Sequence, residues 1–266
     1  MAVNTVIQPP VAPMLAKLTE SIPDAPGYLF EPKWDGFRCI LYFDGESVYL
    51  QSRDLKPLGR YFPELEEQLP TVLPGALVLD GEIVIMRPKG LDFDSLQLRI
   101  HPAESRVRKL AAETPSAFVA FDMLADGNED IRALPFEERR KRLEAAFDGI
   151  APPAFLTPAT RDRDLALDWF DRFEGAGFDG VIAKPLAGAY QPGKRAMAKI
   201  KHLRTIDCVI AGYRWAKGEE GEAIGSLLLG LYDDAGVLHY VGHTSSFNGA
   251  ERREWAQRLQ SLVTED

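Results

Sequence analysis

Short apolar runs alternate with polar turns along most of the chain, at a spacing that suits strands better than helices. Strands are predicted at Phe37–Phe43, Ser47–Gln51, Ala76–Arg87, Ala117–Leu124 and Gly180–Lys184. Helices are predicted at Tyr61–Gln68, Phe136–Phe147 and Asp164–Glu174. Strands outnumber helices, and most links are as short as the hairpin-like Asp44-Gly45. That favours an antiparallel α+β fold over a doubly wound parallel sheet. Pro-rich segments at Gln8–Pro13 and Ala151–Pro158 read as surface connections.

Beyond Arg204 the pattern changes. Three strand runs, Ile206–Trp215, Gly225–Tyr232 and Leu238–Thr244, precede a helix from about Gly249 to Val263. A boundary near Arg204–Ile206 is therefore expected, giving domains 1–204 and 205–266. An OB-type barrel closes with five strands, so three are expected to form only part of one.

Composition narrows the function classes. The 266 residues provide core enough for one large domain or two smaller ones. No apolar run approaches the ~20 residues of a membrane span, and no secretory signal is visible, so a cytoplasmic protein without membrane contact is expected. Cys39 and Cys208 sit in strand-like runs without metal-ligand spacing, which reads as two buried, reduced thiols. His239 and His243 are split by strand and turn residues; one bonded and one exposed histidine is the expectation, not a metal pair. The net charge is −9, with 40 acidic against 31 basic residues. Bulk attraction cannot hold nucleic acid on such a chain, so local patches must. Candidates are Arg99, Arg106, Arg108 and Lys109; Arg139 to Arg142; and Lys194 to Arg204. The second is expected to be a solvated helix face partnered by Glu137 and Glu138.

The candidate chemistry centres on Glu31-Pro32-Lys33-Trp34-Asp35-Gly36-Phe37-Arg38. Asp35-Gly36 is turn chemistry, in which Asp bonds its own backbone and Gly allows φ > 0. Lys33 is thereby presented at the lip of a sheet, where its amine can act as a nucleophile. Downstream come Gln51-Ser52-Arg53 past a strand, and Leu79-Asp80-Gly81-Glu82 with two carboxylates on one strand face. Phe118 to Asp122 sets an aromatic beside an acid. Phe178-Asp179-Gly180 puts an acid before a buried strand that ends at Lys184. Met197 to Lys201 places Lys199 and Lys201 on one strand face. Together these supply an amine, carboxylates for a divalent cation and ribose hydroxyls, an aromatic to stack a base, and cations to neutralise a triphosphate.

The K-x-D-G-x-R pattern resembles the signature of covalent nucleotidyltransferases, among them ATP-dependent DNA ligases, RNA ligases and capping enzymes. The ordered series closely resembles the motif set of ATP-dependent DNA ligases. The text Pro13-Met14-Leu15-Ala16, Leu58 to Leu65 and Gln97 to Pro102 is similar to the stand-alone C-type bacterial ligases, relatives of the end-joining enzymes. The resemblance implies an adenylation domain followed by part of an OB domain. It also implies AMP carried covalently on Lys33, drawn from ATP with Mg²⁺ or Mn²⁺, and a nicked duplex sealed during repair. Glu31 would read the adenine amino group, Arg38 and Arg53 would contact ribose or phosphate, and Glu82 would hold ribose hydroxyls. Phe121 would stack on adenine, Asp179 with Glu82 would serve the metal, Lys199 and Lys201 would grip the phosphates, and Lys184 would belong to the nucleotide-binding set.

At Asp179 the family more often has Glu, and no counterpart of its last basic motif is visible. A nucleotide- or nick-binding fragment without efficient adenylation therefore stands as an alternative, as does an RNA ligase. A free lysine is under ~0.1% neutral at pH 7. The attack therefore requires surroundings that disfavour the ammonium, expected from Lys199, Lys201, Arg38, a metal ion and apolar strands. Nicked DNA is the expected partner of a monomer, with repair polymerases or nucleases as further partners.

Overall fold

The computed structural model describes residues 3–173, 177–202 and 205–264. The chain opens with β1 (Leu15–Leu18), β2 (Tyr28–Pro32), β3 (Phe37–Phe43) and β4 (Val48–Ser52), followed by α1 (Pro63–Val72) and β5 (Leu77–Val84). A small hairpin, β6 (Met86–Arg87) with β7 (Gly90–Leu91), leads to α2 (Phe93–Gln97) and α3 (Glu104–Glu113). Next come β8 (Ala117–Asp126), β9 (Glu129–Asp130), α4 (Phe136–Ala146), β10 (Ala154–Leu156), α5 (Arg163–Phe173), β11 (Val181–Pro185) and β12 (Arg195–Ile200). The last elements are β13 (Val209–Trp215), β14 (Ile224–Tyr232), β15 (Leu238–Thr244) and α6 (Gly249–Gln260). Contacts divide the chain into two units, Met1–His202 and Leu203–Asp266. The expected boundary residue Arg204, the same residue as the end of a basic patch, and the expected helix end Glu174 lie outside the described residues.

Unit one holds two main sheets, ordered β10-β8-β5-β3-β4 and β1-β12-β11-β2. Pairing is antiparallel except for β8 with β10 and β1 with β12. Period-two alternation decides what each face of the larger sheet buries. Cys39, Leu41 and Phe43 of β3 join the core beneath α1, with Leu65 and Leu69. Ile40 and Tyr42 turn the other way, toward Val3, Ile7 and Val11 of the N-terminal segment and Met197 of the second sheet. The second sheet buries its outer face, Phe30, Val181, Ala183 and Ile200, against α5. The gap between the two sheets is where the candidate residues converge.

The corner at Asp35-Gly36 differs from the sequence expectation. It joins β2 in one sheet to β3 in the other, so it is a crossover and not a hairpin. Gly36 is absent from the positive-φ residues. Its need for glycine is steric: a Cβ there would meet the Ile83 carbonyl at 2.3 Å and Glu82 Cγ at 2.9 Å. The predicted strand Ala76–Arg87 breaks after Val84 into the β6–β7 hairpin, and α1 starts at Pro63, not Tyr61. Helix α3 went unread because its charges masked a sparse apolar stripe, Val107 and Ala111.

Two basic patches are corrected as well. Arg99 is fully buried and grips Glu64 at 2.7 Å, so it presents nothing to nucleic acid. Arg139 and Arg140 are likewise buried, not a solvated face; of that run only Lys141 pairs with Glu137 and Glu138 on an exposed surface. In unit two, β13-β14-β15 form an antiparallel sheet. Helix α6, opened by an Asn248–Glu251 capping box, packs Ala256 and Leu259 on Ile224 and Leu227. Cys208 precedes β13 and is half-buried, unlike the fully buried Cys39. Both histidines have partners, His239 with Asp233 at 2.7 Å and His243 with the Tyr240 hydroxyl at 3.1 Å.

Candidate active site

A cavity of about 210 Å³ opens between the two sheets of unit one. Glu31, Lys33, Arg38, Arg53, Glu82, Phe121, Lys184 and Lys199 all line it. Asp179 and Lys201 are not in that lining; Asp179 joins Lys201 to Lys33 at its edge. Residues scattered over 170 positions of sequence thus share one site because β2, β11 and β12 face β3, β5 and β8.

The inner wall is built from buried ion pairs. Arg38 on β3 donates from Nε and Nη2 to the two oxygens of Asp80 on β5, both at 2.6 Å, and from Nη2 to the Met14 carbonyl at 3.1 Å. The Tyr190 hydroxyl donates to Asp80 Oδ2 at 2.6 Å. Burial works against the Arg38 charge, but Asp80 outweighs it and holds the guanidinium more firmly protonated than usual. The guanidinium lies 4.4 Å from the Phe121 ring centroid, a cation–π contact. Beneath Phe121, Asp122 and Arg139 form a second pair at 2.8 Å, both fully buried.

A third cluster surrounds Glu31. Lys184 Nζ lies 2.7 Å from Glu31 Oε2, donates to the Phe121 carbonyl at 2.7 Å, and sits 4.6 Å from the Phe121 ring centroid. Arg140 Nη1 approaches Glu31 Oε1 at 3.3 Å. Burial pushes the Glu31 carboxyl up and the Lys184 ammonium down, each partly offset by its partner.

At the edge of the cavity the chain is locked by a reciprocal backbone pair. Lys33 N–H donates to the Gly180 carbonyl at 2.8 Å, and Asp179 N–H donates to the Lys33 carbonyl at 3.0 Å. Gly180 has φ +132° and a Cβ there would lie 1.9 Å from the Ile200 carbonyl, so only glycine fits. Asp179 Oδ2 holds Lys33 Nζ at 2.8 Å and Lys201 Nζ at 2.5 Å. The nearest charge to the Lys33 amine is therefore a carboxylate, where sequence reasoning expected cations. Partial burial works to raise the Asp179 carboxyl, but Lys201 and Lys33 outweigh it and hold it below the usual range. Burial, with Lys201, Lys33 and Arg53 nearby, pushes the Lys199 ammonium down. Glu82 is half-buried, and burial pushes its carboxyl up to about 7 against the pull of Arg38 and Lys33. Arg53 reaches the cavity from a tight turn after β4 in which Leu55 adopts φ +62°, unusual for a leucine.

Three contributors stand out among those to which sequence reasoning gave no role. Trp34 lines the cavity and donates from Nε1 to Thr157 Oγ1 at 2.8 Å; its place inside the lysine run was the available signal. Ile182 adds an apolar lining residue, indistinguishable in sequence from the rest of its buried strand. Arg140 hid in a helix whose charges read as solvated.

The family model described as the ATP dependent DNA ligase domain matches residues 13–201. The chain is 55% identical over 259 residues to DNA ligase C2 of Mycolicibacterium smegmatis, covering 97% of this chain and 72% of that protein. It is also 55% identical over 262 residues to DNA ligase C of Mycobacterium tuberculosis, again 97% of this chain and 72% of the relative. Among solved structures, a mycobacterial DNA ligase D complexed with ATP and MES aligns with a TM-score of 0.59 at 28% identity, covering 96% of this chain and 79% of the other.

Proposed function

We propose, for a chain that belongs to the ATP-dependent DNA ligase family, that Lys33 is the nucleophile of an enzyme that seals nicks in duplex DNA through a covalent lysyl-AMP intermediate. The observation that carries this reading is the shared cavity. The Lys33 amine, the Phe121 ring, the buried Glu31 carboxylate suited to a base, and several further cations all face the same 210 Å³ space. ATP would enter with adenine against Phe121 and Glu31, ribose toward Glu82, and phosphates among Lys33, Lys199, Lys201 and Arg53.

Attack requires the neutral amine, so Lys33 must first release a proton. Asp179 Oδ2 is the acceptor within reach, at 2.8 Å. The amine nitrogen then bonds to the α-phosphorus as the bond from that phosphorus to the pyrophosphate oxygen breaks. The same Nζ is the leaving group when a DNA 5′-phosphate takes the AMP, and it recovers a proton as the P–N bond breaks. A 3′-hydroxyl then attacks the activated phosphate, joins the strand and releases AMP.

The residues present fit a divalent cation brought in with the phosphates. No group of three or more His, Cys, Asp or Glu side chains able to hold a metal exists among the described residues. Mg²⁺ characteristically takes one or two carboxylates and completes its shell with phosphate and water oxygens. Asp179, now carrying two ammonium groups on one oxygen, would hold such an ion, with Glu82 as a second oxygen donor. The ion, Mg²⁺ or Mn²⁺, would neutralise charge on the polyphosphate. Acting on chromosomal nicks would place a monomeric enzyme in the cytoplasm, downstream of repair polymerases or nucleases.

The test is intact mass after incubation with ATP and Mg²⁺, with GTP and NAD in parallel, followed by nicked DNA and nicked RNA as acceptors. ATP should add one adenylyl group, and nicked DNA should discharge it. No adduct from any nucleotide would refute the lysyl-AMP reading, and discharge by RNA alone would move the protein to the RNA ligases.

A further inference from the structure

We infer that Arg140, which does not line the cavity, is a positioning residue that fixes Glu31 as a pure hydrogen-bond acceptor and so selects a 6-amino purine over a 6-oxo purine. The inference rests on the proposed role of Glu31 as the group that reads the base.

Glu31 faces the cavity from the end of β2, and its side chain is 2% exposed. A buried carboxylate with one partner has an escape from its desolvation cost: it can take the proton of a neighbouring ammonium, leaving a neutral acid and a neutral amine. Lys184, 2.7 Å away and 3% exposed, is placed to give that proton. The consequence would be chemical, not only energetic. An ionised carboxylate accepts hydrogen bonds and nothing else, whereas a protonated one presents an O–H donor. The first suits the exocyclic N–H of adenine; the second suits the O6 of hypoxanthine or guanine.

Arg140 removes the escape. Its guanidinium cannot give up a proton in a protein, so it remains a fixed positive charge on Glu31 Oε1, opposite Lys184 on Oε2. Each carboxylate oxygen spends one acceptor site on a cation and keeps one free for the ligand. The guanidinium is itself held in place: Nη2 donates to the Thr157 carbonyl at 2.9 Å and Nε donates to Glu144 at 2.7 Å. Thr157 in turn accepts from Trp34 at the cavity wall. The charged groups facing Glu31 are thus Lys184 from β11, Arg140 from α4 and Asp122 from β8; only Asp122 opposes its ionisation.

The experiment measures dissociation constants of the whole chain for ATP and for ITP between about pH 6 and 8, with wild type, Arg140→Gln and Arg140→Lys, and thermal melts to check folding. Wild type should prefer ATP by a ratio that stays flat with pH. Arg140→Gln should lose about tenfold or more of that ratio, the scale of one charge-assisted hydrogen bond, and lose most at the acid end where Glu31 takes a proton. Arg140→Lys should retain most of it. A folded Arg140→Gln protein with the wild-type ratio at every pH would overturn the inference and leave the base-reading role intact. A wild-type ratio that itself collapses toward pH 6 would overturn it without any variant. A wild-type protein indifferent to the two nucleotides would defeat the base-reading role, and the inference with it.

Discussion

The inner wall of the cavity and its edge are both made of ions, yet they are built on opposite plans. In and behind the wall, each carboxylate is buried and matched inside the protein: Asp80 with the partly exposed Arg38, Asp122 with Arg139, and Glu31 between Lys184 and Arg140. At the edge, the four cations Lys33, Lys199, Lys201 and Arg53 outnumber the carboxylates Asp179 and Glu82, and the Asp179 side chain is 34% exposed, as is that of Lys201. A matched wall asks for a neutral ligand surface, such as a purine. An edge with surplus positive charge asks for an anion. On the proposed reading, that difference matches the two ends of a nucleotide.

The largest effect expected from breaking this comparison is at Lys33. Lys33→Ala should reduce covalent labelling by ATP to background, since no other side chain can replace the amine, while the melting temperature stays within a degree or so of wild type. Persistent labelling would sink the assignment. Next is the contrast in stability. Asp122→Asn leaves Arg139 buried without its counter-charge and should cost about 3–5 kcal/mol in denaturant unfolding. Asp179→Asn, at the exposed edge, should cost under ~1 kcal/mol, and less at high salt. Equal costs would mean that wall and edge are not energetically distinct.

That contrast also explains what the sequence made legible. That Lys33, Glu31, Glu82 and Phe121 line one cavity was legible because each stands in a short motif that the family resemblance singles out. The strands β3 and β15 were readable to their ends, since strand-forming runs bounded by turns set them. The buried arginine pairs were not. Arg99, Arg139 and Arg140 lie in polar stretches, and their partners Glu64, Asp122 and Glu31 are distant in sequence. Helical periodicity treats an arginine as solvent-facing, and only tertiary packing shows that a carboxylate waits beneath it. The role of Gly36 was misread for the same reason: a close approach by β5 leaves no local mark, whereas a turn does.

A smaller effect is expected where wall and edge meet the ligand's base. Phe121 is 7% exposed, with Arg38 and Lys184 both within cation–π distance of its ring. Phe121→Ala should weaken ATP binding by ~1–3 kcal/mol, the scale of one stacked base, with a lesser loss for triphosphate alone. Unchanged ATP affinity, or an equal loss for the bare triphosphate, would make the ring a support for the two cations and not a platform for the base.

The smallest effect belongs to Glu82, and its sign is set by the direction of its shift. Burial raises this carboxyl from 4.5 to about 7 in the folded protein. Below pH 4.5 it is protonated folded and unfolded, so it adds no pH dependence. Between 4.5 and 7 the unfolded chain has released the proton and the native state has kept it, so stability falls as pH rises, by at most ~1.4 kcal/mol per unit. Above 7 both states are ionised and the penalty is constant. Glu82 is only half-buried, which screens part of this, so Glu82→Gln should gain about 1 kcal/mol over wild type at pH 7.5 and nothing at pH 4. Wild type should gain ATP affinity as pH rises through 7, and the same variant should lose that rise, because an ionised carboxylate is the better acceptor for a ribose hydroxyl. A gain that is the same at both pH values would mean that the carboxyl titrates in the ordinary range and that the edge of the cavity reaches deeper toward water than the wall behind it.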